Sequence, residues 1–215
     1  MVRFKNREDG GRKLVPRLEK YKNNPDAIVL GLPRGGVVTA YEVARQLNLP
    51  MDIIVTRKIA SPMQPELALG ALTQEGVAIF DENLLRMVGV AKKDLEPIVH
   101  AERIEGKRRL ELYRGERSPL DLKNKIAIIV DDGIATGATM RAAIMSAKAM
   151  GAQKIVVAVP VSPADTLKKI KQEVDEVICL DTPETFFGVG QFYDVFAQTE
   201  DEEVIELMAR NTYVS

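Results

Sequence analysis

The 215-residue chain carries 30 Lys and Arg against 31 Asp and Glu, for a net charge of -1 and a pI near 6.0, so no global field draws it to nucleic acid or to an anionic membrane. At 46% hydrophobic content it can bury the core of a single domain, 1–215, and its one cysteine, Cys179, excludes an intrachain disulfide. No apolar run is long enough to span a bilayer and Met1 to Arg7 lacks an apolar signal region, which makes the cytoplasm the expected compartment.

Ala27 to Leu30 forms the first short apolar strand, followed by Gly31-Leu32-Pro33-Arg34-Gly35-Gly36 and then by Val37, Ala40, Tyr41, Ala44 and Leu47 at helical spacing. Gly35 and Gly36 permit close backbone approach to an anion, and Arg34 supplies a planar donor fork for phosphate oxygens. The Gly31 to Gly36 spacing matches a Walker A loop, but Val37 and Val38 stand where Lys and Ser or Thr are required, and no G-x-G-x-x-G follows any strand. Neither a P-loop NTPase nor a dinucleotide enzyme is indicated.

A second strand, 52–57, runs into Arg57 and Lys58, and then into a proline-bearing stretch from Ile59 to Glu66 that reads as a loop. Ala78 to Phe80 reads as a short extra strand, and Ala91 to Tyr113 as one or two charged helices within a helical insertion over 81–120. Its Arg and Lys residues interleave with Glu102, Glu105 and Glu111, and Glu105 with Arg109 is an i,i+4 pair, so a solvated face is expected rather than a nucleic-acid site. His100 has no metal-ligand neighbour in the pattern.

Ile126 to Val130 is a β-branched run without polar alternation, as a strand buried on both faces of a parallel sheet requires. Asp131 and Asp132 follow it, and Gly133 breaks the strand so that two acceptor-only carboxylates can converge on a vicinal diol. Two unit charges 4 Å apart repel by roughly 4 kcal/mol at an effective dielectric of 20, which a bound diol, a magnesium ion or a basic loop would offset. The turn Ile134-Ala135-Thr136-Gly137-Ala138-Thr139 opens a helix that stops near Gly151, and its outward N–H groups with the Thr136 and Thr139 hydroxyls suit a phosphate monoester.

Further strands at 154–160 and 175–180 complete a strand and helix alternation that predicts an α/β fold with a parallel sheet. Beyond Leu180 the scarce aromatics gather in Phe186, Phe187, Phe192 and Tyr193, and Asp201 to Tyr213 reads as a closing amphipathic helix, which sets 181–215 apart as an aromatic tail. A flat ring there can stack on a heterocyclic base.

The segment Ile126 to Thr139 resembles the motif by which type I phosphoribosyltransferases bind phosphoribosyl pyrophosphate (PRPP): a hydrophobic strand, two acidic residues and a Thr-Gly-x-Thr turn, with every position filled. The resemblance implies a Rossmann-like parallel sheet of about five strands flanked by helices, with a small hood and a helical insertion. It implies transfer of the 5-phosphoribosyl group from PRPP to a purine, pyrimidine or related base, with Mg2+ carried by PRPP and lying near Asp131 and Asp132. By the same resemblance, Asp131, Asp132, Gly133, Ile134, Ala135, Thr136, Gly137, Ala138 and Thr139 hold the ribose phosphate. Arg34, Gly35, Gly36, Arg57 and Lys58 hold pyrophosphate, Phe186 or Phe187 meets the base, and Lys58, Asp131 and Asp132 are the catalytic set.

It further implies a mobile loop over 60–72 that closes on the site, and a homodimer. Ala135 stands where 6-oxopurine enzymes carry a proton-exchanging aspartate, and their Ser-Tyr pair is missing from the loop, so the usual hypoxanthine or guanine acceptor is not expected. A PRPP- or nucleotide-sensing regulator that has lost catalysis, and a phosphohydrolase using Asp131 or Asp132 as nucleophile, are the alternatives.

Overall fold

The computed structural model describes residues 3–65, 67–74, 76–115 and 117–211. Its centre is a five-stranded, all-parallel sheet in the order β2-β1-β6-β7-β8, from Ala27–Gly31 (β1), Met51–Ile53 (β2), Ile126–Val130 (β6), Lys154–Val161 (β7) and Glu176–Asp181 (β8). This is the expected α/β architecture.

The uninterrupted apolar strands are explained by two buried faces. Val29, Ile128, Val130 and Val156 point to one side, where they meet Leu14 and Leu18 of α1 (Arg7–Leu18), Val37 and Val43 of α2 (Gly35–Leu47), and Val204 and Met208 of α7 (Asp201–Arg210). Ile28, Leu30, Ile129 and Val157 point to the other, against Met140 and Ile144 of α5 (Ala138–Ala149) and Ile170 of α6 (Ala164–Ile170). Each such fully buried side chain contributes about 1.5–3 kcal/mol. Cys179 packs at the margin of the second face, and burial pushes its thiol up to about 11.

Helix α1 is not signalled by the sequence, because Gly10, Gly11 and Pro16 interrupt its pattern. Asn6 caps it, its Oδ1 accepting from the Asp9 N–H at 3.0 Å. Gly11 allows α1 to lie directly on α2: a Cβ there would stand 2.6 Å from the Thr39 carbonyl oxygen.

Two expectations are corrected between 52 and 72. The second strand leaves the sheet after Ile53, because β1, with which it pairs, ends in register at Gly31. The stretch expected as a mobile loop over 60–72 joins and partly forms an antiparallel ribbon: Arg57–Ala60 (β3) pairs with Ala68–Leu72 (β4), which pairs with Ala78–Phe80 (β5). Only residues 61–67 connect the first two strands, and Glu66 lies outside the described residues.

The ribbon holds because Ile59, Leu69 and Leu72 bury against Leu85 of α3 (Glu82–Val88) and against Leu95 and Val99 at the start of α4 (Glu96–Arg114). The 81–120 segment thus supplies the ribbon's second apolar layer; Glu116 within it is not described. The closing helix ends at Arg210, and Tyr213, placed in it by the sequence pattern, lies outside the described residues. Among the described residues, no helix is long and apolar enough to cross a membrane.

Candidate active site

The carboxyl ends of β1 and β6 are adjacent, with Gly31 in register with Val130, so the two glycine-bearing turns meet at the edge where open α/β sheets bind ligands. Their fit leaves no room for side chains on the first turn. A Cβ on Gly35 would collide with Asp132 Oδ2 and lie 2.6 Å from Arg7 Nε, and one on Gly36 would lie 2.6 Å from Asp131 Oδ1 and 3.0 Å from its Cα. The Pro33-Arg34 peptide between the strand and these glycines is cis.

Past Val130 the chain turns at once, with Asp131 Oδ1 accepting from the Asp132 N–H at 2.9 Å. Asp132 Oδ2 takes a 2.6 Å ion pair from Arg7 Nε, both side chains only 13% exposed. Burial, and then the charge of Asp132, raise Asp131 well above the ordinary aspartate range; burial also raises Asp132, opposed by Arg7. The sequence reading missed Arg7 because it lies on the unsignalled helix α1.

The ionisation of Asp131 has a measurable consequence. Because its folded-state pKa is raised, its contribution to stability is fully present below the unfolded value and is lost as pH rises toward the folded one. Asp131→Asn removes that loss, so its melting temperature is expected to exceed that of wild type at pH 7, the gap closing as pH falls into the ordinary aspartate range. Equal melting temperatures across that range would contradict the buried charge.

The following turn presents Ala135, Thr136 and Thr139 to solvent, while Gly133, Ile134, Gly137 and Ala138 are buried. Gly137 caps α5 with φ +82, a left-handed conformation that disfavours other residues. The Ala138 N–H reaches Thr136 Oγ1 at 3.4 Å and Thr166 Oγ1 donates to the Ala135 carbonyl at 2.9 Å. Beside it, Thr56 Oγ1 is buried with no hydrogen-bond partner among the described residues and helps line a small cavity with Pro33, Arg109 and Thr139.

The basic residues are distributed differently from the sequence grouping. Arg34 Nη1 lies 3.4 Å from Glu200 and 3.6 Å from Asp201 at the start of α7. Asp201 also accepts from the Tyr113 hydroxyl at 2.5 Å; burial and this bond push Tyr113 up to about 12. Arg57 Nε pairs with Glu102 of α4 at 2.5 Å. Alternation along β3 puts Lys58 on the face opposite Arg57, so the two cations do not form one corner.

In the tail, Phe186 stacks on Phe192 at 5.3 Å inside a small core with Phe4 and Tyr193, and Phe187 is 90% exposed. The rings joined most directly to the acidic pair are others. The Tyr193 hydroxyl donates to the Asp132 carbonyl at 2.5 Å, and the Arg7 guanidinium lies 3.9 Å over Phe196. Burial, then the neighbouring Asp132 charge, keep the Tyr193 hydroxyl protonated. No pattern in the sequence singles out Phe196 or Thr56. Among the described residues, no group of three or more His, Cys, Asp and Glu side chains is disposed to hold a metal ion.

Comparison with known proteins gives this arrangement its family. The family model described as the phosphoribosyl transferase domain matches residues 4–196. A Mycobacterium tuberculosis protein provisionally named a phosphoribosyl transferase, Rv0571c, is 44% identical over 210 residues, covering 98% of this chain and 47% of that protein; the chain therefore spans about half the length of the curated relatives it matches. The crystal structure of TT1426 from Thermus thermophilus is 36% identical with a TM-score of 0.90, covering 99% of this chain and 100% of that one. The chain belongs to the phosphoribosyl transferase domain family.

Proposed function

We propose that the protein transfers the 5-phosphoribosyl group of PRPP to a ring nitrogen of a base, releasing pyrophosphate. The observation that carries this reading is the contact between the two turns: the half-buried acidic pair that follows β6 lies against the side-chain-free Gly35-Gly36 turn that follows β1. A ribose held by the first then carries its 1-pyrophosphate toward the second.

In the reaction the bond from C1′ to the pyrophosphate oxygen breaks, a bond from C1′ to the base nitrogen forms, and that nitrogen gives up its proton. Asp131 and Asp132 accept from the ribose hydroxyls and stabilise positive charge developing on the ring. The turn from Gly133 to Thr139 receives the 5-phosphate through its N–H groups and two hydroxyls. Arg34, Gly35, Gly36 and Lys58 bind pyrophosphate; Arg57, engaged by Glu102, is left out of this set. The hood from Phe186 to Phe196 closes over the base.

The hard oxygen donors of Asp131 and Asp132, and the cost of keeping both ionised in a buried place, fit a nearby Mg2+ carried in by PRPP. When bound, the ion neutralises charge on the leaving pyrophosphate. Ala135 gives the phosphate turn no carboxylate to take the base proton, which supports an acceptor other than the usual 6-oxopurines.

Incubation with PRPP, Mg2+ and a panel of purines, pyrimidines and related bases is expected to release pyrophosphate with at least one of them. Tight PRPP binding with no base-dependent release across a broad panel would favour the sensing protein instead.

A further inference from the structure

A cavity of about 310 Å³ lies between the β3-β4 ribbon and α4, on the Arg57 face of β3 and therefore turned away from Lys58. This volume is at the lower end of small-molecule sites. Leu72 and Leu110 give it apolar walls; Arg57, Arg103 and Lys107 bring three cations and Glu102 one carboxylate. Gln74 also lines it, and Gln74 Oε1 is buried with no hydrogen-bond partner among the described residues.

The protein's own contacts leave much of this charge available. Arg57 is engaged by Glu102, and Arg103 Nε donates to the Gly76 carbonyl at 3.0 Å, its terminal nitrogens having no acceptor among the described residues. Lys107 reaches Glu111 only at 3.7 Å, both largely exposed, an arrangement of little strength. Among the described residues the lining carries two positive charges in excess, which a phosphate monoester dianion balances at neutral pH. Guanidinium forks match its oxygens, and the orphaned amide oxygen calls for an N–H or O–H donor in the same ligand.

We infer that this cavity is a second ligand site, for a phosphate monoester of a small sugar or polyol whose hydroxyl donates to Gln74. It does not depend on the transfer reaction proposed above. Since β3 carries Arg57 and Lys58 in succession, a ligand drawing Arg57 from Glu102 acts on the strand that bears a proposed pyrophosphate contact, which gives the site a regulatory position.

Calorimetric titration with ribose 5-phosphate tests it. Wild type is expected to show two classes of site. The Arg103→Ala/Lys107→Ala variant, altered only on α4's cavity-facing surface, should lose one by at least tenfold in affinity and keep the other, while Asp131→Asn/Asp132→Asn should do the reverse. Gln74→Leu should weaken ribose 5-phosphate at the cavity several-fold and leave inorganic phosphate unchanged there. A single class abolished by the aspartate variant, or two classes both surviving Arg103→Ala/Lys107→Ala, would overturn the assignment. Equal loss of both probes in Gln74→Leu would overturn the donor contact. Failure of the aspartate pair to affect either class would count against the proposed transfer site and leave the cavity result standing.

Discussion

Gly36→Ala is expected to lower kcat/KM for PRPP by about two orders of magnitude while leaving the far-ultraviolet circular dichroism unchanged. The added methyl would lie 2.6 Å from Asp131 Oδ1, 3.0 Å from Asp131 Cα and 3.1 Å from the Val130 carbonyl oxygen. The carboxylate can swing away, but the backbone of a central strand cannot, so the two turns must separate. A misplacement near 1 Å of groups that orient reactants costs about 10²-fold in rate, and overpacking costs about 1–3 kcal/mol in stability. A kcat/KM within threefold of wild type would show that the two turns do not act as one cradle.

Asp52→Ala is expected to lower the unfolding free energy by about 3–5 kcal/mol, the usual cost of removing one partner of a buried ion pair. Arg114 grips Asp52 with two bonds, Nε to Oδ1 at 3.0 Å and Nη2 to Oδ2 at 2.7 Å, and the side chains are only 6% and 5% exposed. Asp52 Oδ1 also accepts from the Ile53 N–H at 2.7 Å, and Arg114 Nη2 donates to the Ser118 carbonyl at 2.5 Å. Removing the carboxylate strands a buried guanidinium and frees the end of α4 from β2. For a chain of this size the loss corresponds to a melting temperature lower by roughly 10 °C. A shift under about 2 °C in a thermal melt would show the pair to be dispensable.

These two sites differ in how far the sequence announces them. The acidic pair, the turn that opens α5 and the Gly35-Gly36 turn could be read because each lies within a few residues of the end of an apolar strand. The Asp52–Arg114 pair joins residues 62 positions apart, and nothing local distinguishes either from a surface charge. The same separation hid Arg7, which reaches Asp132 from 125 positions away. Its helix was illegible because Gly11, packed close on α2, and Gly10, packed close on Pro160 and Tyr193, look in sequence like a turn.

The ribbon from Arg57 to Leu72 shows the converse error. Pro62 and Pro65 do lie in the connection between β3 and β4, but the strand character on either side comes from partners supplied later in the chain, Leu85, Leu95 and Val99. Arg57 and Lys58 are neighbours in sequence yet face opposite ways, so adjacency alone overstated their common purpose. The tail was legible as a cluster of rings, but which ring approaches the acidic pair was decided by packing: Phe186 is drawn into the core with Phe192, and Phe196 is left to carry Arg7.

The central claim is that Asp131 and Asp132 hold the ribose of PRPP, and calorimetric titration of Mg-PRPP into wild type and into Asp131→Asn/Asp132→Asn tests it most directly. Each charge-assisted hydrogen bond is worth about 1.5–3 kcal/mol, so the double variant is predicted to bind at least about 100-fold more weakly while melting as a folded protein. Unchanged affinity in a folded double variant would contradict the account.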